Sequence, residues 1–320
     1  MFTGAGNSSP TFTLDVTGFD TSKVTSMRSM FYRTGCANTS FTLDVSGFDT
    51  SNVTNMRSMF NQTALVSTVF TLDVTGFDTR NVTTMFCLFF RAGEMSPVMS
   101  VDVSGFDTSK VTDMQSMFYA VGRYNTTLTL DVSGFDTKNV TVMDKMFYQT
   151  GKNNPNFTLD VSNFNTEKVT DMGSMFYETG AQSTVFTLDV SNFNTANVTD
   201  MSYMFYKAGY SNPTFTIDLS SFNTSKVTDM SNMFTNMSFD NTGGTLDLSN
   251  FDISNVTDMS GCFYGIGYTT IKLNKTSFNS GVDLTEFIQD NWTMTIYVKA
   301  TADKTLLDAL GFSKLTVIVG

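Results

Sequence analysis

Apolar and polar residues alternate at the start of the chain: Phe12, Leu14 and Val16 are apolar, while Thr13, Asp15 and Thr17 are polar. A period of two is that of a strand with one buried face. The next residues, GFDTS at 18–22, read as a turn in which Phe19 plugs the core and Asp20 makes an Asx-type bond to the backbone. Val24 and Thr25 follow, then Met27, Met30 and Phe31 at the i, i+3, i+4 spacing of one helix face. Thr25 is placed as the N-cap of that helix. An acid often comes next (Asp113, Asp171, Asp200, Asp229, Asp258), where a negative charge suits the helix dipole, and Gly35 is placed as the C-cap.

The unit then repeats. Its aliphatic strand position is Leu14, Leu43, Leu72, Val101, Leu130, Leu159, Leu188, Ile217 and Leu246, and each step is 29 residues. Nine copies in register, without insertion, predict one supersecondary unit stacked on itself. The expected fold is an α/β solenoid of the leucine-rich-repeat kind. It is a right-handed coil of nine 29-residue strand-turn-helix repeats, with one parallel sheet and strands about 4.8 Å apart. Phe and Met replace much of the leucine. Phe19, Val24, Thr25, Met27 and Phe31 recur in every copy, whereas the connection to the next strand changes: CANTS (36–40), LVSTV (65–69), EMSPV (94–98), RYNTT (123–127), KNNPN (152–156), AQSTV (181–185), YSNPT (210–214). Stacked, these segments form one variable edge on a uniform rod.

Two stretches are expected: the repeat solenoid, 1–264, and a degenerate C-terminal cap, 265–320. The cap reads as strand 271–274, helix near 283–290, strand 292–300, helix 304–312 and strand 315–320, a β-α-β-α-β pattern of two shortened coils. Met1-Phe2 stands 29 residues before Met30-Phe31, so the array begins in mid-repeat. A fragment of a larger surface protein is expected on that ground, with its targeting and anchoring segments outside it.

LDVSGFDTSNVTNMRSMF at 43–60, with LDVSNFNTANVTDMSYMFY at 188–206 and LDLSNFDISNVTDMSGCFY at 246–264, resembles the BspA-like bacterial surface-repeat family of mycoplasma, Listeria and Firmicutes proteins. The resemblance covers about four fifths of the chain; the connection after MFY is longer than the family's. It implies a leucine-rich-repeat-like fold, a place at the cell surface and a role in adhesion or recognition, with no catalytic residues.

Composition narrows the function. The chain has 320 residues, 41% of them hydrophobic, with 31 Phe, 21 Met, one Trp and no His. A formal net charge of −11 argues against nucleic acid or an anionic membrane as partner. No apolar run approaches the roughly 20 residues of a membrane span. Cys36, Cys87 and Cys262 fall at different points of the repeat, without metal or disulfide spacing. Without His, a reactive-Cys context or a phosphate loop, the sequence points away from an enzyme, and no cofactor is expected unless calcium binds.

The chemistry that remains is columnar. Asp15, Asp44, Asp73, Asp102, Asp131, Asp160, Asp189, Asp218 and Asp247 share one outward strand position, flanked by hydroxyls such as Thr13 and Ser46. Like charges about 5 Å apart repel by roughly 1 kcal/mol per neighbouring pair in water. The column is therefore a hydrogen-bonded polar ladder, a cation (Ca2+) ladder with raised carboxylate pKa values, or a ligand-recognition stripe. The second column, Asp20 to Asp136 and then Asn165, Asn194 and Asn223, exchanges Asp for Asn and so reads as Asx turns. Asn52, Asn81 and Asn139 lie in NVT sequons, which carry glycan only in a eukaryotic secretory pathway. On the variable edge, Arg123, Tyr124, Lys152, Asn153 and Tyr210 are the candidate partner-binding residues.

Together these features predict an extracellular, cell-surface interaction module that recognises a protein or glycan on a host or neighbouring cell. The alternative is a surface-layer or filament-forming protein, in which the rods self-associate.

Overall fold

The computed structural model describes residues 1–241, 243–290 and 292–320. The chain winds into a parallel β-solenoid of about 12 turns. Its named strands are β1 (Thr11–Leu14), β2 (Ser40–Leu43), β3 (Val69–Leu72), β4 (Val98–Val101), β5 (Thr245–Asp247), β6 (Thr270–Leu273), β7 (Met294–Val298) and β8 (Leu315–Val319). One helix, α1 (Thr301–Asp308), lies between β7 and β8. β1 pairs with β2, β3 with β4, and β5 to β8 form a sheet in chain order, all parallel. The register is the sequence period: Phe12 faces Phe41 and Leu14 faces Leu43. Bridges between residues 29 apart run from Ser26↔Asn55 to Asp229↔Asp258. The pitch then shortens, with Asp258 facing Asp283 and Thr270 facing Thr295.

The strand-turn-helix coil is not what forms. The segment expected to be helical, Met27–Gly35 and its repeats, is a second wall of turns. Its backbone donors are divided. The N–H groups of Met27, Ser29, Phe31 and Arg33 reach the next coil, at Asn55, Arg57, Met59 and Asn61 carbonyls 2.8–2.9 Å away. Those of Met30, Tyr32 and Thr34 turn back to the carbonyl three residues earlier. This alternation requires left-handed backbone at Ser29 (φ 54°), Arg33 (φ 56°) and Gly35 (φ 60°), and at the same places in the following coils. Each such non-glycine residue costs about 1–2 kcal/mol. The four bonds to the neighbouring coil hold it there.

The physical reason is spacing. Strands stack about 4.8 Å apart, whereas helices need 8–10 Å between axes. A coil with a helix at its back must therefore fan open. Here the rear wall keeps nearly the spacing of the front. The Phe31, Phe60, Phe89 and Phe118 rings stack with centroids 5.6–5.7 Å apart, and Tyr119, Tyr148, Tyr177 and Tyr206 stack at 4.2–4.4 Å. No helix fits in that space. Both backbones bury Met27, Met30 and Phe31, so the i, i+3, i+4 pattern does not distinguish them. α1 occurs in the coil between β7 and β8, where the backbone bonds run within the segment, as from the Ala309 N–H to the Thr305 carbonyl at 3.1 Å. The expected strands of the tail appear as β6, β7 and β8. A helix appears near 304–312, but 283–290 continues the turn wall.

Thr25 is not a cap. It begins a column in which each N–H reaches the preceding threonine's carbonyl, as in Thr54 to Thr25 at 2.9 Å and Thr112 to Thr83 at 2.9 Å. A buried threonine column joins the coils elsewhere. The Thr137 hydroxyl donates to the Asn165 carbonyl at 3.0 Å and accepts the Asn165 N–H at 2.7 Å. Thr50 and Thr166 do the same for Asp78 and Asn194. Thr137→Val keeps the shape and removes both bonds, so it should cost about 1–3 kcal/mol in urea unfolding, with Thr137→Ser near wild type. A valine variant as stable as the wild type would show that the relay contributes nothing.

Candidate functional site

The strand aspartates sit on the solvent-facing side of the sheet, and each is engaged within its own coil. Asp131 Oδ1 accepts the Ser133 hydroxyl at 2.7 Å and the Ser133 N–H at 3.0 Å. Asp44 with Ser46, Asp73 with Thr75, Asp102 with Ser104 and Asp160 with Ser162 repeat the arrangement. These two donors hold the carboxyls of Asp44, Asp102 and Asp131 below the usual carboxylate range; for Asp44 and Asp102 the neighbouring aspartates oppose this only weakly. The expectation of raised values at Asp102 and Asp131 is therefore corrected: hydrogen bonds to the charged form outweigh like-charge repulsion in solvent. The signal was in the sequence, as Asp followed two residues later by Ser or Thr. Among the described residues no three His, Cys, Asp or Glu side chains are grouped to hold a metal ion. A shallow concavity of about 520 Å³ lies over Asp102, Asp131 and Asp160. At the end of the column Lys272, in register with Asp247, donates to its Oδ2 at 2.9 Å.

The second column forms Asx turns, whether the residue is acid or amide. Asp20 accepts the Ser22 N–H and Asn165 accepts the Glu167 N–H, both at 3.0 Å.

Raised carboxylates do occur, but in the column assigned to a helix N-terminus. Asp113 and Asp171 are half-buried on the rear wall, and burial pushes both carboxyls up despite one backbone N–H each. For Asp171 the charges of Asp144 and Asp200 add to the effect.

The sequon asparagines are structural. Asn81 Nδ2 donates to the Ser51 carbonyl at 2.9 Å, and its Oδ1 accepts Lys110 Nζ at 2.7 Å. Asn139 makes the same pair of bonds with Ser109 and Lys168. A glycan on either nitrogen would remove a bond between coils.

The variable edge has a fixed skeleton that the pattern reading missed. The third residue of every connection is Asn or Ser: Asn38, Ser67, Ser96, Asn125, Asn154, Ser183 and Asn212, all buried. Asn125, Asn154 and Asn212 donate to the Met99, Leu128 and Phe186 carbonyls at 2.8–3.1 Å. Their neighbours face outward and vary. Of the candidate partner-binding residues, Tyr124 is exposed. Arg123 pairs with buried Glu94 at 3.1 Å and Lys152 with buried Glu178 at 2.7 Å. The Asn153 N–H bonds the Arg123 carbonyl, and Tyr210 stacks on Phe239 at 4.9 Å. The edge thus brings Arg123, Tyr124, Lys152 and Asn153 together on adjacent coils, while Tyr210 lies two coils further along.

The two acidic columns respond to pH in opposite directions. A lowered folded pKa, as at Asp102 and Asp131, contributes stability that is complete above about pH 4 and is lost as pH falls through the folded values. A raised one, as at Asp171, costs stability at neutral pH, and the cost fades as pH drops through its folded value. Asp171→Asn keeps an acceptor for the Gly173 N–H and removes the charge. It should raise the melting temperature at pH 7 and lose that advantage toward pH 4, whereas Asp131→Ala should lower it at pH 7. Thermal melts across pH decide; an Asp171→Asn variant less stable than wild type at pH 7 would sink the assignment.

No curated protein and no solved structure matches the chain. A family model does, four times, over residues 1–129, 93–214, 120–242 and 181–294. The overlapping matches follow the stacked coils into the shortened tail. The chain therefore belongs to the family described as Mycoplasma protein of unknown function, DUF285.

Proposed function

We propose that the chain is a non-enzymatic recognition scaffold of the extracellular cell surface, presenting its variable edge to a protein or glycan ligand. One observation carries this reading: buried Asn or Ser fixes each connection at its third residue, while the side chains beside it point outward and differ from coil to coil. A scaffold that holds its backbone constant and varies only what solvent meets is suited to display. The resemblance to BspA-like surface repeats supports the same reading. Calcium would meet the outer carboxylate oxygens of the strand aspartates before Asp247, whose Oδ2 is taken by Lys272.

A structural surface-layer or filament role is the second reading. It is favoured by the stacking itself, in which each coil is hydrogen-bonded chiefly to its neighbours. Sedimentation velocity separates the two: ordered, concentration-dependent polymers support a filament and a monomer supports display.

The display reading is tested by replacing every connection with that of 181–185. Binding to an array of extracellular-matrix proteins and glycans should fall by about tenfold or more, with the melting temperature little changed. Binding that survives the replacement would move the site off this edge.

A further inference from the structure

One outward column of the variable edge changes character partway along the rod. In successive coils it reads Ala37, Val66, Met95, Tyr124, Asn153, Gln182, Ser211 and Asp240. The backbone beneath it does not change. The N–H groups of Met95, Tyr124, Asn153, Gln182, Ser211 and Asp240 reach the Leu65, Glu94, Arg123, Lys152, Ala181 and Tyr210 carbonyls at 2.9–3.2 Å. This ladder sets adjacent positions one strand spacing apart, about 4.8 Å, so Val66, Met95 and Tyr124 are successive positions of one stripe.

The later coils serve as an internal control. Asn153, Gln182, Ser211 and Asp240 occupy the same position on the same ladder, so the fold has no need of apolar residues there. Yet Val66 is 39% exposed, Met95 47% and Tyr124 40%, and Val98, three residues beyond Met95, is 53% exposed. Isolated apolar residues on a surface need no explanation, but a contiguous group does.

The rim is basic in an acidic molecule. Arg91 and Arg123 approach the Glu94 carboxylate from two coils, so two guanidiniums share one carboxylate. Both guanidinium side chains stay partly exposed, at 39% and 28%. The Arg123 guanidinium also lies 5.1 Å from the Tyr124 ring centroid. All six arginines of the chain lie at or before Arg123, although its net charge is −11. Tyr, Met and Arg are among the residues enriched at protein interfaces.

We propose that Val66, Met95, Val98 and Tyr124, rimmed by Arg91 and Arg123, form a docking stripe for an apolar peptide segment of a partner protein that carries carboxylates at its flanks. The inference rests on the display reading above and assigns it one stretch of the edge and one partner chemistry. The apolar centre of the segment covers the stripe, and its carboxylates meet the uncompensated guanidinium charge.

The test uses the full chain and a short fluorescein-labelled peptide with a leucine centre and glutamate ends, followed by fluorescence anisotropy. Control peptides replace the glutamates by lysine or the leucines by serine. The protein variant is Val66→Asn, Met95→Gln, Tyr124→Ser, which brings in residue types the column already holds; Met95→Gln alone is the milder form, and circular dichroism checks the fold of both. The charge requirement is read from the peptide, because removing Arg123 would leave buried Glu94 short of a partner. The expected result is binding of the glutamate-ended leucine peptide, weakened about tenfold or more by either control and by the triple substitution. Three results overturn the proposal: no binding of that peptide, equal binding of the lysine-ended one, or binding unchanged in the folded variants. Self-association of the wild type that disappears in the variant also overturns it, by making a second copy the occupant. Failure here leaves the display reading intact, because replacement of all the connections tests that reading separately.

Discussion

A single distance, the spacing between adjacent backbones in a hydrogen-bonded stack, governs this molecule. The sheet sets it on one side. On the other it rules out helices and obliges the chain to send alternate N–H groups from one coil to the next. The left-handed residues of the rear wall, Ser29 and Arg33 and their counterparts, are the local cost of that demand. The stacked phenylalanines and tyrosines are its return, because rings held one coil apart pack face to face through the middle of the rod. Each coil is satisfied mainly by its neighbours, so stability is a nearest-neighbour property.

Polar groups obey the same rule. Buried Thr137 links two coils through both ends of one hydroxyl. The strand aspartates instead close turns within a coil, and hydrogen bonding keeps Asp131 charged. Where a carboxylate is half-buried with a single backbone donor, as at Asp171, burial prevails and the group is held above its ordinary range. The two columns look alike as lists of acids; their donors and their depth distinguish them.

The 29-residue period, the strand phase and the Asx turns at Asp20 and Asn165 were legible because each is a matter of spacing along the chain. The rear wall was not. Met27, Met30 and Phe31 point inward in a helix and in the alternating turns alike, and only the distance between coils separates the two. The buried Asn or Ser of each connection went unseen because a segment whose other residues vary reads as variable throughout. The titration of the acidic columns depends on burial, which periodicity does not contain. The mixed character of the outward column at Val66–Asp240 was visible as letters, but its contiguity became meaningful only on a shared ladder.

The ring stack and the sole tryptophan mark different parts of the rod. Tyr119, Tyr148, Tyr177 and Tyr206 lie face to face in the middle coils, whereas Trp292 packs against Phe239 near the shortened tail. Coupled phenol transitions give a near-ultraviolet dichroism weighted to the middle coils, and indole fluorescence reports on the coils around Trp292. In a linear array that frays from its termini, the two signals become clocks at two stations. The interval between them during unfolding is a direct reading of how many coils move as one.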